Sequence, residues 1–180
     1  MKVYVFLADG FEEIEGITII DVLRRGQIEI KSVSITGSME VVGAHGIVVR
    51  ADMLFDNELL QDGDMLVLPG GTKGTEGLGA HKGLASLIYE YSEKDKYLAA
   101  VCAAPTVLGK MGLLKGRAAT CYPSCETDLI GAECKTEKVV QDGKIITSRG
   151  PGTTLEFSLK LVEIAVGAEV SDRLRLGMLV

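Results

Sequence analysis

The chain opens on a nearly unbroken apolar run, Lys2 to Ala8 (KVYVFLA), with the length and continuity of a strand buried on both faces. Asp9-Gly10 breaks it. From Glu12 apolar side chains recur at Ile14, Ile17, Ile20 (or Asp21) and Leu23, a spacing of three to four that predicts a helix ending near Gly26. Ile28 to Ile35 reads as a second strand. Met39 to Val42 and Ile47 to Val49 flank a Gly-Ala-His-Gly turn and predict a short hairpin at a sheet edge. Met65 to Leu68 is a buried strand stopped by Pro69-Gly70-Gly71. Leu84 to Tyr91 is an amphipathic helix, and Leu98 to Val101 is a fourth buried strand with Cys102 at its end.

Pro105 to Lys110 predicts a helix, because a proline in the first turn loses no hydrogen bond. Val139 to Gln141 and Lys144 to Thr147 flank Asp142-Gly143, a type I′ hairpin signal. Thr153 to Val166 is the clearest helix: Leu155, Leu159, Val162 and Val166 form one stripe, with Glu156, Lys160 and Glu163 facing away. Strands alternating with helices, with no linker between them, predict one α/β domain over residues 1–180 with a mostly parallel sheet. Such sheets bind ligands beyond the carboxyl ends of their strands. Three strand ends carry unusual sequence: Asp9 to Glu15, Pro69 to Gly74 and Cys102 to Pro105.

Composition narrows the function. With 47% hydrophobic and 24% charged residues, the 180-residue chain is ordinary globular material rather than a disordered segment. The formal net charge is −6 and no basic cluster is present, which argues against nucleic acid as a partner. No apolar run approaches the ~20 residues of a membrane helix. Met1-Lys2 leads straight into the first strand, so no secretory signal is predicted and a reducing, cytoplasmic setting is expected for the four cysteines at 102, 121, 125 and 134. Cys121 and Cys125 are close in sequence, but His45 and His81 show no paired ligand spacing, so no metal is predicted. Neither a phosphate-binding Gly-Lys-Ser/Thr nor a Gly-x-Gly-x-x-Gly follows a strand, and no cofactor is predicted.

Cys102 is the strongest chemical candidate. It lies in Ala100-Val101-Cys102-Ala103-Ala104, between a buried strand and a helix, where a sharp turn needs small neighbours. An unperturbed thiol is only about 3% thiolate at pH 7; a helix N-terminus is expected to raise that fraction. Glu12 and Glu13 suit the positive end of the first helix dipole. Glu15, among Ile14, Gly16 and Ile17, is the carboxyl expected to be held in apolar surroundings and to titrate with the thiol as a pair. Gly70 and Gly71 allow backbone N–H groups to approach a reacting oxygen. His45 and His81 read as turn or surface histidines, and Cys121, Cys125 and Cys134 as bystanders.

Taken together, ADGFEEIE (8–15), LPGG (68–71), AAVCAAPT (99–106) and TSRGPGT (147–153) resemble the ThiJ/PfpI superfamily, most closely the branch of the Parkinson-linked DJ protein and the bacterial YajL-type proteins. The resemblance implies a flavodoxin-like α/β/α sandwich that forms homodimers. It implies that Cys102 is a reactive, oxidation-prone cysteine and Glu15 its hydrogen-bonding carboxyl. Gly71 and Ala103 then supply oxyanion-binding amides, and Gly150 and Pro151 line the pocket. It also implies cofactor-independent glyoxalase or deglycase activity on small dicarbonyls such as methylglyoxal, or on their early protein adducts. The alternative is a redox-sensing or chaperone-like stress protein using oxidation of Cys102. Two departures stand out. Tyr122 occupies the position before proline where many members carry a histidine, and Ala103 follows the cysteine where the protease-type branches have one, making a protease or amidase the least favoured reading.

Overall fold

In a computed structural model the chain is described in full, Met1–Val180. In chain order the elements are β1 (Lys2–Leu7), α1 (Glu13–Arg25), β2 (Glu29–Ser34), β3 (Glu40–Val42), β4 (Val48–Arg50), β5 (Met53–Leu54), β6 (Met65–Leu68), α2 (Thr72–Ala80), α3 (Lys82–Glu93), β7 (Tyr97–Val101), α4 (Pro105–Lys110), β8 (Ala118–Ala119), β9 (Glu133–Cys134), β10 (Val139–Asp142), β11 (Ile145–Ser148), α5 (Thr154–Val166) and α6 (Ala168–Gly177). Seven strands form one sheet in the order β10-β11-β7-β6-β1-β2-β5, and only β10 runs antiparallel to its neighbour.

Alternation along β1 explains the layering. Val3, Val5 and Leu7 face a core shared with α1 and α5 through Ile19, Leu23, Phe157 and Val162. Tyr4, Phe6 and Ala8 face the opposite core, built with Leu78, Leu84, Leu87, Ile88 and Leu108 from α2, α3 and α4. Each fully buried aliphatic or aromatic side chain contributes about 1.5–3 kcal/mol, so both faces of the sheet are committed to core. This is the mostly parallel α/β sheet that the strand pattern predicts, in the α/β/α sandwich that the family resemblance implies.

The helix stripes need correction. Ile14 and Ile17 are exposed on α1, whose buried positions are Glu13, Glu15, Gly16, Ile19, Ile20, Val22 and Leu23. Leu155 and Val166 are likewise exposed on α5, where Thr154, Phe157, Ser158, Leu159, Leu161 and Val162 are buried. Helix α5 packs against α1 and α6 as well as the sheet, so its buried arc is rotated from the apolar stripe. Its buried hydroxyls are satisfied internally: Thr154 donates to Gly150 O at 3.0 Å and Ser158 to Thr154 O at 2.8 Å. The β3–β4 hairpin is a separate two-stranded sheet rather than an edge of the main one. Backbone bonds from Gly10 N to Val42 O (2.7 Å) and from Ala44 N to Phe11 O (2.8 Å) hold it over the end of β1.

In the centre of the sheet β7, β6 and β1 lie side by side. Between β6 and β1 the chain order reverses direction across the sheet, which is where parallel sheets open a crevice. The segments leaving these three strands are Ala8–Glu12, Pro69–Gly71 and Cys102–Ala104, the same three that are unusual in the sequence.

Candidate active site

Cys102 leaves β7 with φ of 64°, in the left-handed region that a residue with a Cβ seldom occupies. Its backbone is fixed on both sides, since its N–H donates to Ser148 O at 3.0 Å and its carbonyl accepts from Tyr122 N at 2.8 Å. The neighbouring Ala104 N–H closes back onto Val101 O at 3.0 Å, and larger residues would crowd that turn. Cys102 itself is 8% exposed. Its sulfur receives the N–H groups of Gly71 and Ala103, each of which favours negative charge there.

Glu15 is fully buried in the first turn of α1. Its Oε2 accepts the Gly70 N–H at 2.7 Å. Oε1 is shielded from solvent and has no conventional hydrogen-bond partner, and the side chain that hydrogen-bonds this carboxyl is the Cys102 thiol. Burial lifts the carboxyl to about 7, against the opposing bonds from Gly70 and Cys102. Burial also pushes the Cys102 thiol up, reinforced by the charge of Glu15 and the hydrogen bond to it. The expected depression of the thiol at a helix N-terminus is therefore not what governs this site.

The two groups share one proton instead. With Glu15 ionised, the thiol keeps its proton. With Glu15 protonated, the carboxyl donates, and the negative charge that opposes a thiolate is gone.

Glycine at 70 and 71 is a steric requirement. A Cβ on Gly70 would lie 2.6 Å from Cys102 Cβ, 2.7 Å from Glu15 Oε2 and 2.9 Å from Val101 O. Gly71 adopts φ of 91°, which turns its N–H toward the sulfur. Gly150 packs on the other side, where a Cβ would sit 3.2 Å from the Tyr122 ring and 4.0 Å from Cys102 Sγ.

Cys102, Gly71, Ala103, Tyr122 and Pro151 line an open cleft of about 820 Å³. Glu15, Gly70 and Gly150 support the cysteine without lining it. The cleft is completed by Asp9, Gly10, Glu12, Val42–His45, Thr72, Lys73 and Cys125, which the sequence did not single out for this role. The fold brings them in through the hairpin and α2.

Glu13 is one residue whose role differs from expectation. Rather than serving only the helix dipole, it is 4% exposed and clasps the hairpin turn. Its Oε1 accepts His45 N at 2.6 Å and Ile47 N at 3.4 Å, and its Oε2 lies 2.8 Å from His45 Nδ1. Burial opposes its ionisation, but the bonds from His45 and Ile47 outweigh it and hold the carboxyl at about 2. Ligating atoms of Glu12, Glu13 and His45 lie within 4.8 Å of one another, yet both Glu13 oxygens are already engaged by the turn. His45 is exposed and His81 receives the Leu84 N–H at the start of α3, so each is a turn histidine.

A buried carboxyl sharing a proton with a strained cysteine, at the crevice of a parallel sheet, defines a cysteine-centred α/β site. The chain belongs to the DJ-1/PfpI family, whose sequence profile matches residues 1–164. It is 38% identical over 180 residues to protein DJ-1 homolog B of Arabidopsis thaliana, covering 99% of this chain but 41% of that protein, so it spans less than half of that relative. It is 31% identical over 166 residues to the deglycase TK1284 of Thermococcus kodakarensis, covering 91% and 99% of the two chains. Among solved structures it superposes on oxidized Toxoplasma gondii DJ-1 with a TM-score of 0.93 at 32% identity, covering 99% and 97%. No helix is long and apolar enough to cross a membrane.

Proposed function

We propose that this protein is a cysteine-dependent, cofactor-independent glyoxalase or deglycase acting on small dicarbonyls such as methylglyoxal or on their early protein adducts. The observation that carries the reading is the Cys102–Glu15 pair, with the Gly71 and Ala103 N–H groups directed at the sulfur. The deglycase name of the Thermococcus relative supports it. Cys102 thiolate attacks the aldehyde carbon, forming a C–S bond, and the resulting alkoxide takes the proton of Glu15. The Gly71 and Ala103 amides stabilise negative charge on oxygen as it develops. Glu15, now ionised, carries the aldehyde hydrogen from C1 to C2 as a proton while the hydroxyl proton on C1 passes to the C2 oxygen, giving a thioester of lactate. Water then hydrolyses the thioester, so that methylglyoxal and water become lactate and free Cys102.

Incubating the protein with methylglyoxal and quantifying lactate tests this reading. Lactate equal to the methylglyoxal consumed, over many turnovers, is the expected result. Consumption that stops at one equivalent per Cys102, without lactate, is simple thiol capture and contradicts it.

A second reading has its own observation. The superposed Toxoplasma structure is of an oxidized protein, and Glu15 and the two amides would stabilise an oxidised Cys102 as they stabilise a thiolate. Mass spectrometry after mild peroxide should then find sulfinate confined to Cys102. Oxidation spread over Cys121, Cys125 and Cys134 would argue against sensing.

Homodimerisation in the cytoplasm belongs to the same proposal. Ile14 and Ile17 of α1 and Ile47 and Val48 of the adjoining hairpin are exposed together, and a second copy of the chain would cover them. Peptide hydrolysis remains the least favoured reading, because the residue after Cys102 is Ala103 and no histidine contacts the sulfur.

A further inference from the structure

A second cleft, of about 670 Å³, lies between α2, α3 and α4 and meets the first at Thr72, Ala103 and Cys125. Its apolar surfaces come from Ala85, Tyr89, Val107 and Met111, and charge is confined to Glu76 and the Lys110–Asp128 ion pair at 2.9 Å. The Tyr89 hydroxyl donates to Met111 O at 3.0 Å, so its proton is already engaged within the protein. Thr75 also lines it, is 8% exposed, and its Oγ1 is shielded from solvent without making any hydrogen bond. The Cys102 chemistry accounts for none of these residues.

We infer that this cleft is a specificity subsite for the substituent of the dicarbonyl, so that the preferred substrates are 2-oxoaldehydes bearing an apolar chain rather than methylglyoxal. The inference rests on the glyoxalase reading above. With the aldehyde carbon at Cys102, the substituent passes the shared rim of Thr72, Ala103 and Cys125 and settles against Val107, Met111 and Tyr89. Each buried methylene adds binding energy that methylglyoxal lacks.

Gly79 provides the test. It lines the second cleft, and a Cβ there would meet only Val107 Cγ2 at 3.8 Å, an ordinary contact. Gly79→Leu therefore fills the cleft without touching Cys102 or Glu15, and leucine is also the better helix former. For 2-oxooctanal, kcat/KM should exceed that for methylglyoxal in the unmodified protein and fall about tenfold in Gly79→Leu, the equivalent of about two lost methylene contacts. Methylglyoxal turnover should stay within about twofold. Equal effects on both substrates, or none on either, overturn the subsite.

A binding measurement separates this from the fate of the glyoxalase reading. Octan-2-one, which lacks the reactive aldehyde, is titrated into the protein while the amide resonances of Thr75, Gly79 and Val107 are followed. Saturable shifts that disappear in Gly79→Leu support the cleft as an apolar-chain site even if no dicarbonyl is turned over. Shifts absent, or unchanged by the substitution, overturn it.

Discussion

At Cys102 three demands meet in one residue: a left-handed backbone, a nearly buried sulfur and a carboxyl that competes for its proton. The small residues around it in the sequence point to the turn, and the turn is there. The proton balance is less legible, because it depends on Glu15, 87 positions away in the chain, being wholly buried against the sulfur. Neutralising Glu15 without removing its shape separates the two roles. Glu15→Gln should keep the fold but lose acid–base transfer, lowering kcat by about 10²–10⁴-fold; the check is a pH profile, in which the unmodified protein should titrate near 7 and the variant should not. A variant with an unaltered profile would remove Glu15 from the chemistry.

Elements rather than single residues set the cleft. The turn after β6 works only because Gly70 has no side chain. Gly70→Ala should cost about 1–3 kcal/mol by overpacking Cys102 and Glu15, read as a fall in the denaturation midpoint; an unchanged midpoint would show that the turn can relax. Helix α2 is the element the pattern hides. Gly74, Gly77 and Gly79 within its nine residues suppress both helix propensity and apolar periodicity, so the pattern predicts no element there. The short strands β5, β8 and β9 are hidden for a different reason, each being two residues whose pairing is set by distant partners. By contrast β1, β6 and β7 are continuous apolar runs because both faces of the sheet are covered, and α4 is bounded as its proline predicts. Misplacing Ile14 and Ile17 in the core follows from treating α1 as a helix with one apolar face. Those side chains are exposed beside the hairpin, which periodicity alone cannot show.

For the whole molecule, the buried carboxyl links the site to stability. Folded Glu15 titrates at about 7, above its ordinary 4.5, so the native state binds that proton more tightly than the unfolded chain. Its contribution is complete below about 4.5 and is lost as pH rises through about 7. Relative to Glu15→Gln, the unmodified protein should therefore lose roughly 3 kcal/mol of stability between those limits, measured by urea unfolding at a series of pH values. Parallel curves for the two proteins would contradict the burial of an ionising group. The exposed apolar face of α1 and the hairpin makes its prediction at the same scale. Ile17→Asp should convert a dimer to a monomer in sedimentation without altering the fold, whereas an unaffected dimer would place the interface elsewhere.

The central claim is that Cys102 performs turnover. Methylglyoxal consumption by the unmodified protein and by Cys102→Ser, side by side and free of added thiols, tests it most directly. Sustained consumption that disappears in the serine variant, with the fold intact by circular dichroism, is the predicted result. Equal consumption by both proteins would contradict it.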